Sequence, residues 1–353
     1  MTTQQIKYLG CIAAVVASGL ACAPPAAAGT RHVVHPGQSI QKAVEAAQPG
    51  DTIVVSPGTY RESVLITKSN LTLRGAGEQT VIRPAAVPAV NACAQKGNGI
   101  CVTGTDAHPV ERVTVRGLKL TGFTKNGVWA TRTDELTVRE VTAEKNGQWG
   151  IAEERSTRSV FRGNIARDNA ESGLFVSNTV DTEAGATDTL GTEIRDNQLL
   201  GNRIGATIRR VRNLTVKDNI FSANCAGVFV VGDESLPRAG SMIIRGNTVS
   251  KNNKYCAATP RLPDMQGAGI VLTGTTDTLV ESNVIQSNVG STPFSGGVVL
   301  FKSFVGAVNE RNVIRDNVLT GNTTADLAVR ETGTHNNKFN GNVCTRSEPA
   351  GLC

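Results

Sequence analysis

Two stretches of this 353-residue chain place side chains able to move a proton near side chains able to hold a carboxylate: "IAEERS" at 151–156 and "NRIGATIRRVRN" at 202–213. A guanidinium fork grips a carboxylate through two parallel hydrogen bonds, and neutralising that charge makes a neighbouring carbon-bound proton easier to remove. A second carboxylate within reach then serves as the base. In this scheme Arg209 holds the carboxylate of a ligand, Arg210 supports it and Glu154 takes the proton, with Arg155 adding a further cation. Trp129, Phe175 and Phe229 are among the chain's few aromatic residues and offer flat apolar faces in the same region. Each assignment has a plainer rival, since arginines decorate solvated strand faces and loops bury aromatic rings. The four histidines, His32, His35, His108 and His335, lie near the ends or in an early turn and do not join the set.

The elements that position these residues follow from composition and pattern. Aromatics make up 4% of the chain and glycine reaches 37 residues, while Asn, Thr and Val recur throughout, which favours short strands and tight turns. Lys7, the apolar run "YLGCIAAVVASGLA" at 8–21 and the small-residue stretch "AAAG" at 26–29 have the layout of a secretory signal. Cleavage is expected after Ala28, leaving one domain over 29–353; lipid attachment at Cys22 is less favoured because Gly19 stands where such sites usually carry Leu. No later stretch approaches the roughly 18 uninterrupted apolar residues that span a bilayer, so a secreted or cell-surface monomer without a transmembrane segment is expected. The net charge of +6 falls to +5 without Lys7 and is spread along the sequence. That is too mild for a nucleic-acid partner and compatible with an acidic ligand.

Beyond residue 28 there are six cysteines, Cys93, Cys101, Cys225, Cys256, Cys344 and Cys353. Six cysteines allow 15 pairings, among them two short self-closed loops, 93 to 101 and 344 to 353, that leave Cys225 with Cys256. Structural disulfides are the expectation, because no C-x2-C or Cys/His cluster suggests a metal site.

The dominant signal is a repeat. Asn164/Asn169, Asn197/Asn202, Asn219/Asn224, Asn247/Asn252, Asn283/Asn288, Asn317/Asn322 and Asn337/Asn342 share one offset, within units of about 20 to 24 residues plus insertions. Each unit carries a short alternating strand, the asparagine motif, then a glycine and a second alternating strand such as "GVWA" at 127–130 or "GVFV" at 227–230. A unit this small cannot bury its own apolar face and must stack on its copies. Stacking turns the asparagines into ladders, a structural duty suited to a tight bend and to an amide that both donates and accepts.

With the opening "SIQKAVEAAQPGDTIVVSPGTYRESVLITKSNLTLRGAG" at 39–77, the chain resembles the right-handed parallel β-helix proteins of the pectate-lyase-like superfamily. The resemblance implies an all-β solenoid, a single-stranded right-handed parallel β-helix, with a short capping α-helix at 39–48. It also implies an acidic, uronate-containing polysaccharide or another glycan as partner, with β-elimination or epimerisation ahead of glycoside hydrolysis as the chemistry. Some members neutralise the substrate carboxylate with calcium held by acids. Asp181, Glu183, Asp188, Asp233 and Glu234 in the inserts are the residues available for this, and no other cofactor is indicated. The inserts at 177–190, 232–240, 253–266, 289–296 and 302–309 are expected to wall a groove over the sheet built from the post-glycine strands. Alternation sets Trp129, Phe175 and Phe229 in one outward column of that sheet and Glu154 and Arg209 in the other, and points Glu153 inward. The D-P-H element of mannuronan epimerases is absent, and only "NTVD" at 178–181 approximates a polygalacturonase motif. A non-catalytic envelope scaffold or adhesin is the alternative. The lack of a His/Met/Cys cluster argues against a direct copper role of the kind associated with periplasmic β-helix proteins of copper-enzyme maturation.

Overall fold

All but the terminal units of the chain contribute one strand to each of three parallel sheets, with a small two-stranded sheet, Val110–Glu111 with Thr133–Asp134, beside them. The computed structural model describes residues 29–87, 90–333 and 335–353. The leader assigned to residues 1–28, with Cys22, lies outside the described residues. Sheet A has twelve strands, from Arg31–Val34 to Lys338–Asn340; sheet B has ten, from Gly58–Arg61 to Val318–Thr320; sheet C has eleven, from Val64–Ile66 to Ser347–Glu348. The post-glycine strands form sheet C.

Parallel register stacks like on like. The inward column of sheet A runs Val115, Val138, Phe161, Ile194, Val216, Ile244, and that of sheet B runs Leu120, Ala143, Ala166, Leu199, Phe221, Val249. All are buried and belong to one continuous core along the coil. Because the chain closes on itself laterally, unpaired strand edges remain only at the two ends. The helix Ile40–Ala46 covers the first end, shorter than the 39–48 expected, with Ile40 and Val44 buried. Its N-terminus is fixed by Glu62, which accepts hydrogen bonds from the Ser39 hydroxyl and from the Ile40 and Gln41 amides at 2.8–3.0 Å.

The asparagines form two ladders, one at each bend flanking sheet B. Asn164 donates from Nδ2 to Asn197 Oδ1 at 2.9 Å, and the pattern repeats through Asn219, Asn247, Asn283 and Asn317 to Asn342. The second ladder runs Asn146, Asn169, Asn202, Asn224, Asn252, Asn288 and Asn322. Two details differ from the sequence reading. Asn342 stacks on Asn317 in the first ladder, while Asn337 pairs with Asn312, so the last pair is out of frame. The left-handed backbone falls on the residue before the asparagine, as at Asp196, Asp218 and Asp316, or on glycine at Gly163 and Gly246. Three disulfides close Cys93 to Cys101, Cys225 to Cys256 and Cys344 to Cys353.

Candidate functional site

Sheet C carries the candidate residues, and the inserts flank it: 177–190, 232–240 and 302–309 follow its strands, whereas 253–266 and 289–296 precede them. Its register aligns Trp129, Ala152, Phe175, Thr207, Phe229 and Val271 in one outward column. The next outward column is Thr131, Glu154, Ser177, Arg209, Val231 and Thr273, as alternation indicated. Glu154 and Arg209 thus stand two rungs apart, about 10 Å at the usual strand spacing. Between them in the column lies only the small side chain of Ser177.

The two halves of this face differ. Over the C-terminal half, inserts 253–266 and 289–296 fold onto the sheet and bring Leu262, Met265 and Phe294 against Phe229, Val271 and Val299. Phe294 meets Phe229 and Phe301 edge to face, at centroid distances of 5.0 and 4.6 Å. Phe229 is 1% exposed beneath this second core and presents no face to a ligand. The expected groove therefore does not extend over Phe229, Val271 and Val299, because apolar side chains in the inserts gain more by covering the sheet than by standing as walls. An open depression remains at the last rungs, lined by Pro293, Phe301, Thr324, Arg330 and Glu348.

Over the N-terminal half the face is less covered. Trp149, from the turn before Ile151–Glu154, lies between Trp129 and Phe175, stacked on the latter at 3.9 Å and on the former at 5.9 Å. Trp129 is half-buried, whereas Trp149 and Phe175 are mostly covered. Sequence reasoning passed over Trp149 because it sits outside the alternating strands; its place just before a strand glycine was the available signal.

The charged residues are ordered by the loop 178–186. Arg209 donates from Nη1 to the carbonyls of Thr179 and Val180 at 3.2 and 3.0 Å. Burial and the adjacent Arg210 hold its guanidinium below the usual arginine range. Arg210, expected beside a ligand, is buried and points between two inserts, where it pairs with Glu183 and Asp233 and donates to the Thr182 carbonyl. The left-handed φ of 53° at Arg210 breaks the strand there and turns its side chain away from its neighbour. Burial raises the Glu154 carboxyl above the ordinary glutamate value, opposed by Arg155 and Arg132. Arg155 lies 3.7 Å from Asp106, which also accepts from Arg132 Nε at 2.7 Å.

Glu153 points into the coil, in the column occupied above and below by Ala130 and Val176. It is 1% exposed; Oε2 accepts from the Ser159 hydroxyl at 2.6 Å, and Oε1 has no hydrogen-bond partner. Burial pushes its carboxyl up to about 7 despite that bond. The insert acids do not converge on a calcium site: Glu183 and Asp233 face Arg210, and Asp188 accepts from Leu190 and Asn213. Among the described residues no group of three or more His, Cys, Asp and Glu side chains is arranged to hold a metal ion.

A family model described as "right handed beta helix region" matches residues 67–239. No protein of curated function matches the chain by sequence. Among solved structures, the AlgE4 A-module of an Azotobacter vinelandii mannuronan C-5 epimerase is 17% identical with a TM-score of 0.59, over 87% of this chain and 89% of that one. The Dettilon tailspike protein is 14% identical with a TM-score of 0.62, over 90% and 68%. A DFA-IIIase from Arthrobacter chlorophenolicus A6, solved without its lid, is 13% identical with a TM-score of 0.54, over 88% and 94%. The chain folds as a right-handed parallel β-helix.

Proposed function

We propose that this is an exported protein that binds an acidic, uronate-containing polysaccharide over the N-terminal half of sheet C and acts on it by proton abstraction. The observation that carries the reading is the shared outward column of Glu154 and Arg209, beside the partly open face of Trp129. The mannuronan epimerase among the structural neighbours supports a uronate polymer as the ligand class. Arg209 pairs with the ligand carboxylate, Arg155 adds positive charge, and Glu154, made more basic by burial, takes the proton from the carbon beside that carboxylate. The electron pair left there either forms a double bond as the glycosidic oxygen on the adjacent ring carbon leaves and takes a proton from water, or recovers a proton from water on the opposite face. Trp129 and the stack behind it, Trp149 and Phe175, support a sugar ring. Arg210 acts through others, tying the loop 178–186 to the insert 232–240 and so fixing the carbonyls that hold Arg209.

The test is incubation with pectate, alginate and glucuronans, following the ultraviolet absorbance of unsaturated ends for elimination and the proton NMR of anomeric signals for epimerisation. Neither change on any of these polymers rejects the catalytic reading. A non-catalytic scaffold or adhesin is the second reading, favoured by the covering of Phe229, Val271 and Val299 under the inserts. Glycan-array binding lost on Trp129→Ala supports the first reading; absence of glycan binding, with a protein partner held through the inserts, supports the second.

A further inference from the structure

We propose that the outer face of sheet A carries a second, separate site: a one-residue-wide cationic track for a linear carboxylated polysaccharide lying along the coil axis. Register places Arg74, Arg116, Arg139, Arg162, Arg195, Lys217 and Arg245 in one column, each the last residue of its sheet A strand. In the sequence these residues are 22 to 42 positions apart, so the charge reads as evenly spread. Coiling collapses those intervals to one rung each, and the seven cations span about 29 Å at about 4.8 Å per step. The column ends at Glu281, which is the register neighbour of Arg245 and whose carboxylate is bonded by Arg315 at 2.7 Å.

The track is incompletely neutralised. Arg139 pairs with Glu140, Arg195 with Glu193 and Asp196, and Lys217 with Glu193. Among the described residues no carboxylate pairs with Arg74, Arg116, Arg162 or Arg245, and each of these four is followed by glycine, so the turn beside it adds no side chain. Arg162 and Arg245 are exposed and Arg74 and Arg116 half-buried. Burial, with Arg139 and Arg74 on either side, lowers the Arg116 guanidinium below the usual arginine range, as expected for stacked like charges. The neighbouring outward column supplies the hydroxyls of Thr114, Thr137 and Thr215.

Such a column costs stability through mutual repulsion, and an evenly charged polyanion relieves it. A polymer with one carboxylate per sugar ring spaces its charges on the order of the rung interval and meets guanidinium forks one by one. Duplex nucleic acid carries a charge about every 1.7 Å along two strands and calls for a broader patch than one column. Each exposed pair is weak alone, and binding gains strength from many pairs on one chain.

The track is independent of the sheet C reading, and its test is made where that site is removed. In full-length protein carrying Trp129→Ala and Arg209→Gln, titration calorimetry with long polygalacturonate is expected to show salt-sensitive binding. Adding Arg74→Gln, Arg116→Gln, Arg162→Gln and Arg245→Gln should weaken it by about tenfold or more and flatten the salt dependence. Thermal melting confirms that these surface substitutions leave the fold intact. With sheet C unaltered, the same four substitutions should leave binding of trigalacturonate unchanged. The proposal is overturned if no polygalacturonate binds in the first background, if binding there ignores the four substitutions, or if duplex DNA binds and polygalacturonate does not. Failure of the sheet C reading alone shows as no trigalacturonate binding by the unsubstituted protein, with polygalacturonate still bound in a manner that depends on the four arginines.

Discussion

Glu153 and Glu154 are adjacent and face opposite ways, so they answer to pH differently. Glu153 binds its proton more tightly in the fold, with a value of about 7, than at the ordinary 4.5 of the unfolded chain. Its contribution to stability is therefore fully present below about pH 4.5 and is lost as pH rises through 7. Melting temperature should fall by several degrees between pH 5 and pH 8.5, and Glu153→Gln, which keeps shape and removes the charge, should flatten that decline. An unchanged slope in the variant would show that the carboxyl is hydrated rather than buried. Glu154 acts as base only when ionised, and burial raises its value, so activity should drop on the acid side at a higher pH than an ordinary glutamate would dictate. Glu154→Gln should lower turnover by about 100-fold or more while oligosaccharide binding persists. Both orientations were legible from alternation; the pairing of Arg210 with Glu183 and Asp233 was not, because those acids come from two separate inserts.

At the scale of elements, the asparagine ladders and the insert core do different work. Asn219 donates to Asn247 and to the Ile194 carbonyl and accepts from Asn197, so truncating it strands groups on two rungs. Asn219→Ala should cost about 2–3 kcal/mol in chemical denaturation, and Asn342→Ala at the ladder's end distinctly less. The ladders were readable because their offset recurs; the residue that takes the left-handed backbone was not, since Asp, Ser and Gly all fill it. The inserts 253–266 and 289–296 gave lengths and positions but not direction. Phe294 sends them inward over Phe229, with Cys225–Cys256 as a staple. Phe294→Ala should destabilise this lid by about 3–5 kcal/mol, seen as faster proteolysis within 253–266 without loss of the coil's circular dichroism.

For the whole molecule, the coil leaves strand edges only at its ends, and the helix Ile40–Ala46 closes the first. Deleting residues 31–47 should produce concentration-dependent association by light scattering; a monomeric truncated chain would show that the edge is harmless. The sequence by itself determined the coil, because a repeat of about 20 to 24 residues with period-two strands can bury its apolar faces only by stacking. It also determined which side chains face outward on sheet C, since pairing in register preserves alternation from rung to rung. Only the tertiary structure decided which part of that face is open, because burial by an insert depends on where its apolar residues land and not on its length. It also decided that cations dozens of residues apart share one line on sheet A, because their proximity is set by the pitch of the coil.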